Sequence, residues 1–276
     1  MSPGSAEDDG VAPMRLVTLN LQHGLGTGGG ALDADALAAA VAPLAGTHVL
    51  ALQEVDRGQV RSGGLDQAAV VAAALGLPHV RQAAALVGNV RAGVVRPDRA
   101  GAEHPESYGV ALLSAFPVLA SFAQPLPGGW VRWPRRRAGR WRVAIDEPRV
   151  ALAAVLDVAG GPVSIATTHL STFPATATGQ LRRVVRLVRG MPGPRLVCGD
   201  LNLRTPSVRL ATDLAPLARG DTYPSWAPTR EIDHVLGEGW ALPEGPGAPL
   251  PALDVADHRP VAVTLGLPSA PARGYR

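Results

Sequence analysis

The chain has 276 residues, a formal net charge of +3, 46% hydrophobic residues and 18% charged residues. This composition supports a globular core and excludes a chain that is disordered throughout. No apolar run approaches the roughly 18–20 residues of a membrane-spanning helix, and the single cysteine, Cys198, excludes an intramolecular disulfide and a cysteine-based zinc site.

Every basic residue is arginine. That rules out lysine Schiff-base chemistry and a P-loop lysine, and it leaves forked guanidinium groups to meet any phosphate. The net charge is too small to imply a nucleic-acid partner by itself. The opening MSPGSAEDDG has neither a basic n-region nor an apolar h-region, so a cytoplasmic location is expected.

Residues 1–13 are expected to form a disordered leader, 14–268 one domain and 269–276 a loose tail. Met14–Asn20 reads as a buried strand running into a Gly-rich loop that ends at Gly30. Leu32–Leu44 is Ala-rich and helical, and His48–Gln53 is a short apolar strand. Leu65–Leu75 is a helix closed by Gly76. His79–Leu86 and Tyr108–Leu113 follow as strands. Trp130–Arg142 (WVRWPRRRAGRWR) is dense in arginine and tryptophan. Such a mixture suits stacking on bases, gripping phosphates or resting on an anionic membrane surface, but it equally describes a solvated, partly disordered insertion.

Val150–Val158 and Val163–His169 are strands separated by Gly160-Gly161. Leu181, Val184, Val185 and Val188 recur at helical spacing, so 176–189 is an amphipathic helix with its arginines turned outward. Arg195–Cys198, Ile232–Leu236 and Val261–Leu267 are the last strands. Interleaved helices and buried strands predict α/β layers around sheet.

Polar residues cluster at strand ends: Asn20, Gln53-Glu54, Thr168-His169, Asp200 with Asn202, and Asp257-His258 before the last strand. Strand ends at one sheet edge can converge on a point. Hard oxygen ligands with histidines there suit Mg²⁺-assisted phosphoryl chemistry.

In order, TLN, LQEVD, YGVALLS, EPRVAL, TTHLS, CGDLN, EIDHVL and ADHRPV resemble the endonuclease/exonuclease/phosphatase superfamily related to deoxyribonuclease I, from about Arg15 to Leu267. The resemblance implies a four-layer α/β sandwich of two face-to-face mixed sheets flanked by helices, with the site at one end. It implies a Mg²⁺- or Mn²⁺-dependent hydrolase acting on phosphate esters, with nucleic acid, a phospholipid head group or a soluble phosphate ester as substrate. The rival reading, a non-catalytic phosphate- or nucleic-acid-binding module, sits poorly with an intact set of motif residues.

On this resemblance Glu54 binds the metal, with Asn20 as neutral ligand or orienter and Asp257 as second carboxylate. Asp233 and His258 form a dyad that serves the leaving oxygen or polarises the phosphate. Asp200 orients and deprotonates water, and Asn202 and His169 donate to phosphate oxygens. A histidine at 169 is closer to the deoxyribonuclease and lipid-phosphodiesterase branches than to abasic-site endonucleases. Tyr108, Glu147, Arg149, Trp226 and Arg135, Arg136 and Arg137 are expected around the substrate, with Glu147 also a candidate partner for a histidine. The chain departs from the pattern at Leu201, His234 and Ala256, where Phe, Tyr and Ser are common, and Ala256 is expected to loosen the hold on Asp257. His23 is read as structural or exposed, and Cys198 as an inert buried thiol.

Overall fold

In the computed structural model, which describes residues 13–26, 28–89, 96–97, 104–128, 132–137, 140–242 and 244–266, strands and helices alternate along the chain. In order they are β1 (Met14–Asn20), α1 (Ala34–Val41), β2 (Val49–Arg57), α2 (Gln67–Leu75), β3 (His79–Val87), β4 (Arg96–Pro97), β5 (Ser107–Ser114) and β6 (Val118–Leu126). Then come β7 (Arg132–Arg137), β8 (Arg140–Ile145), β9 (Arg149–Val158), β10 (Gly161–His169), α3 (Pro174–Arg189), β11 (Arg195–Asp200) and α4 (Thr205–Ala211). The last four are β12 (Ala215–Pro216), β13 (Asp233–Glu238), β14 (Ala248–Pro249) and β15 (Val261–Leu265).

Two mixed sheets carry the fold. One has the order β14-β15-β1-β2-β5-β3-β4 and the other β12-β13-β11-β10-β9-β6. Their inner faces meet through Leu16, Val49, Ala51 and Leu112 on one side and Leu152, Leu156, Ile165, Leu196 and Val235 on the other. Leu37 and Val41 of α1 and Val71 of α2 cover the outer face of the first sheet against Val17, Leu19, Leu50 and Leu52. Leu181, Val184 and Val188 of α3 cover the second against Ala153, Val155 and Val197. The result is a four-layer α/β sandwich. Strands covered on both faces read as nearly unbroken apolar runs, which is why β1, β2, β10 and β11 are visible in the sequence.

Local signals set the helix limits. Asp33 Oδ1 accepts from Ala36 N–H (2.8 Å) and Asp66 Oδ1 from Ala69 N–H (3.1 Å), capping α1 and α2. Gly76 closes α2 with φ +66°. The periodicity behind α3 is borne out: its apolar stripe is buried while Arg182, Arg183, Arg186 and Arg189 are exposed.

Strands β2, β6, β7 and β8 differ from expectation. β6 is an edge strand whose Leu119 and Phe122 are 59% and 51% exposed, so no clean inward pattern marks it. Trp130–Arg142 falls largely in β7 and β8, which pair as a regular hairpin from Arg132↔Ile145 to Arg137↔Arg140. β2 continues past Gln53 to Arg57, with a bulge between Gln53 and Val55. The expected tail and all of the expected leader but Pro13 lie outside the described residues.

Each sheet has one parallel pair near its centre: β1 with β2, and β10 with β11. Their registers set Asn20 beside Gln53 and His169 beside Asp200, and β13 sets Asp233 opposite Asp200. The Gln53 amide nitrogen joins the layers by donating to Thr18 Oγ1 (3.1 Å) and, in the facing sheet, to Thr167 Oγ1 (3.0 Å). The C-terminal ends of both parallel pairs therefore open on one edge of the sandwich.

Candidate active site

That edge holds a cleft of about 880 Å³. Glu54, Arg149, His169, Asp200, Asn202, Asp257 and His258 line it. Asn20 lies beneath, bridging the sheets: its Nδ2 donates to Glu54 Oε1 (3.3 Å) and Asp200 Oδ2 (3.2 Å), and its Oδ1 accepts from Gln22 N–H (3.0 Å). Asn20 thus turns N–H, not oxygen, toward the carboxylates. Of the two roles expected for it, this geometry fits the orienter.

His258 Nδ1 and Asp233 Oδ2 are 2.8 Å apart, and Thr222 Oγ1 donates to the same carboxylate oxygen. The bond from the ring fixes its orientation. His258 Nε2 then lies 3.8 Å from Asp200 Oδ2 and 3.9 Å from Asp257 Oδ1. His169 Nε2 approaches Asp200 from the other side, at 3.3 Å, with its Nδ1 buried, without a hydrogen-bond partner among the described residues and 3.7 Å from Glu54 Oε1. Asn202 N–H donates to Asp200 Oδ1 (2.9 Å) and its Nδ2 to the Leu170 carbonyl (3.0 Å).

Burial pushes the Glu54 carboxyl up to about 7, against the hydrogen bond from Asn20 and with the help of the Asp200 charge. Burial likewise pushes Asp200 up to about 6, with the neighbouring Asp233 charge adding to it. Burial draws the His258 imidazole down, but Asp233 overrides it and raises His258 to about 10. His169 is held well below its usual range by burial, then by Arg149 and His258, so it is neutral at pH 7. The two carboxyls at the centre of the cleft are thus short of compensating charge, as expected where a cation belongs. Asp200, Asp233 and His258 each offer a donor atom within 4.8 Å of the other two, and the oxygen-rich donor set as a whole fits a hard divalent ion.

Among the described residues four non-glycines have positive φ: Gln22 (49°), His23 (58°), Glu54 (54°) and Asn202 (50°). All four line this cleft. Local strain gathered where the titratable groups converge is a mark of a working site.

Several expectations are corrected. Trp226 is 73% exposed and is not among the residues lining the cleft. The loop turns between Pro224 and Ala227 and closes where Tyr223 pairs with Arg230, which leaves Trp226 at its tip. Tyr223 takes the inner place, its ring 4.9 Å from that of His258, with the Arg230 guanidinium over the ring at 4.3 Å. Tyr108 is 4% exposed and packs outside the cleft lining, its ring 5.1 Å from His23. Glu147 pairs with Arg149 (3.7 Å) and with no histidine among the described contacts. Asp257 is held from the neighbouring loop, because Ser225 N–H donates to its carbonyl (2.7 Å) and Ser225 Oγ to the Ala256 carbonyl (3.1 Å). These bonds fix its backbone, and its carboxylate lies 3.9 Å from His258 Nε2. Of Arg135, Arg136 and Arg137 only the backbone, in β7, is described.

Sequence reasoning missed His23, Tyr223, Arg230 and Arg204, all in the lining. For His23 a signal existed: it stands three residues after Asn20, in the loop that leaves the first strand end. His234, by contrast, points away from the cleft to the Leu203 carbonyl (2.7 Å), as strand alternation requires.

A comparison with curated proteins finds no match. Among solved structures, an endonuclease/exonuclease/phosphatase protein from Beutenbergia cavernae has a TM-score of 0.66 and 23% identity, over 95% of this chain and 73% of that one. Sphingomyelinase C from Streptomyces griseocarneus has a TM-score of 0.62 and 19% identity, over 92% and 99%. A beta toxin variant from Staphylococcus aureus with bound magnesium ions has a TM-score of 0.64 and 12% identity, over 92% and 99%. At these identities the likeness is one of fold. The motif order seen in the sequence, the four-layer sandwich and a family match over residues 17–258 agree, and the chain belongs to the Endonuclease/Exonuclease/phosphatase family.

Proposed function

We propose that the protein is a divalent-metal-dependent hydrolase of phosphate esters, acting on phosphodiesters by in-line attack of water. The observation that carries the reading is the convergence on Asp200. His258 Nε2, His169 Nε2 and Asn20 Nδ2 all lie within 3.8 Å of its Oδ2, and Glu54 shares Asn20 and His169 with it.

Glu54 is the principal metal ligand and Asp257 the second carboxylate, with Asn20 orienting Glu54. The ion, Mg²⁺ or Mn²⁺, supplies Lewis-acid stabilisation of phosphoryl oxygen charge. Asp200 orients the attacking water and takes its proton, and its raised pKa makes it a better base than an exposed carboxylate. His258, kept protonated by Asp233, donates from Nε2 to the leaving oxygen. His169 and the remaining N–H of Asn202 donate to non-bridging oxygens, where charge develops. Arg149, which lines the cleft, meets a phosphate there.

The β7–β8 hairpin sits in the connection between β6 and β9, where Leu126 pairs with Arg149. It leaves the sheet at the end that bears the cleft. Arg135, Arg136 and Arg137 in this reading serve parts of an extended anionic substrate that flank the scissile phosphate. The fold shared with a sphingomyelinase C and the family to which the chain belongs support phosphoester chemistry. The substrate is a nucleic acid, a phospholipid head group or a soluble phosphate ester.

The test is a parallel assay with Mg²⁺ or Mn²⁺ on plasmid DNA, RNA, sphingomyelin, inositol phosphates and an aryl phosphodiester. At least one should turn over and stop in EDTA. Asp200→Asn should lower kcat by about 10²–10⁴-fold, the contribution of a lost general base. Turnover that survives EDTA, or wild-type-like rates in Asp200→Asn, would overturn the reading.

A further inference from the structure

We propose that His23 is a positioning residue for Glu54, acting from a hydrogen-bond circuit that begins and ends on β2. The inference rests on Glu54 being the metal ligand.

The circuit is built from a loop that holds His23 in place. After β1, Gly24 N–H donates to the Leu21 carbonyl (2.9 Å), and the Gln67 side-chain amide donates to the His23 carbonyl. A Cβ at residue 24, where φ is +63°, would come within 2.5 Å of that amide nitrogen and displace it, so glycine suits the position. Gln67 Oε1 also accepts from Asp56 N–H (2.8 Å), tying the loop to β2.

The ring then has one permitted tautomer. Arg61 Nη2 lies 2.9 Å from His23 Nδ1, and a guanidinium nitrogen can only donate. His23 Nδ1 is therefore an acceptor and its proton sits on Nε2. That nitrogen is 3.1 Å from Glu54 Oε2, so the ring donates to the carboxylate. Arg61 is itself fixed by the fully buried Asp56, through Nε to Oδ2 (2.8 Å) and Nη2 to Oδ1 (2.7 Å), and Ser62 Oγ donates to the same carboxylate (2.8 Å). From Asp56 the bonds pass through Arg61 and His23 to Glu54, two residues back on the same strand. Asn20 holds Oε1 of Glu54 and His23 holds Oε2. The carboxylate is gripped at both oxygens, each of which keeps a lone pair for a cation. Partners that hold a ligating carboxylate typically cost 10–100-fold in metal affinity or activity when removed.

The test measures Mn²⁺ binding by calorimetry in the whole protein, with Glu54→Gln, His23→Phe and His23→Gln beside wild type. Histidine ¹⁵N spectra of wild type and Arg61→Met report the tautomer. Glu54→Gln should lose most of the affinity. His23→Phe should bind Mn²⁺ about 10–100-fold more weakly, whereas His23→Gln, whose amide can donate in place of Nε2, should stay within a few-fold of wild type. His23 should appear as the Nε2–H form in wild type and as a mixture in Arg61→Met. If Glu54→Gln loses Mn²⁺ while His23→Phe binds normally, or if His23 carries its proton on Nδ1, His23 does not position Glu54. If Glu54→Gln binds Mn²⁺ like wild type, the metal assignment itself fails and takes this proposal with it.

Discussion

His258 and Asp233 are 2.8 Å apart, and in the proposed reaction they are two halves of one donor. Burial, at 5% exposure, draws the imidazole down, and the Asp233 carboxylate leads the charges that raise it to about 10. On that proposal, removing Asp233 should weaken the acid that removing His258 abolishes. Asp233→Ala and His258→Ala should each lower kcat by orders of magnitude, and the double variant should be no worse than the poorer single. A double loss equal to the product of the singles would mean that the two act independently. Cys198 is the opposite kind of residue. It is fully buried, and burial pushes its thiol up to about 12. It should resist a thiol reagent such as DTNB in the native protein and react stoichiometrically once unfolded. Rapid reaction in the native state would contradict that burial.

Among the elements, the β7–β8 hairpin carries the densest run of arginine in the chain. A lone two-stranded hairpin is marginal in water. The register sets Arg135 opposite Arg142 and Arg137 opposite Arg140. Replacing Arg135, Arg137 and Arg142 with Ser should raise KM on a long anionic substrate and flatten its salt dependence. Turnover of a small aryl phosphodiester should hold. Equal responses from both substrates would remove the hairpin from substrate binding. The sequence showed this segment's charge but not its pairing. A hairpin is announced by apolar alternation, and arginine at consecutive positions hides it. β6 escaped notice for a related reason, since its outward Leu119 and Phe122 blur the alternation. The strands covered on both faces, and α3 with its sharp apolar stripe, were plain.

At the scale of the whole molecule, the site is assembled from two half-sites that never meet in sequence. β1 and β2 bring Asn20 and Glu54, and β10, β11 and β13 bring His169, Asp200 and Asp233. Residues at strand ends were legible as candidates as an ordered set, since a single polar residue there more often serves a turn or a cap. His23, Tyr223 and Arg230 were not, because a positive φ or a loop closure, rather than periodicity, delivers them. Gln53 holds the halves in register from the buried side. Gln53→Leu fills the space but strands the hydroxyls of Thr18 and Thr167, at about 1–3 kcal/mol for each unsatisfied group. Its thermal midpoint should fall by several degrees and its activity with it. An unchanged midpoint would show that the cross-layer bonds add no stability.

The left-handed backbone at Gln22, His23, Glu54 and Asn202 has an evolutionary consequence. An L-residue other than Asn or Asp in that conformation costs roughly 1–2 kcal/mol, a penalty glycine escapes. A laboratory population selected only for surviving heat should therefore accumulate glycine codons at 22 and 23, and at 54 once activity is no longer demanded. Position 202 should drift least, since Asn already tolerates the conformation. Selection for turnover should reverse those changes first, so heat tolerance and catalysis compete for the same few codons.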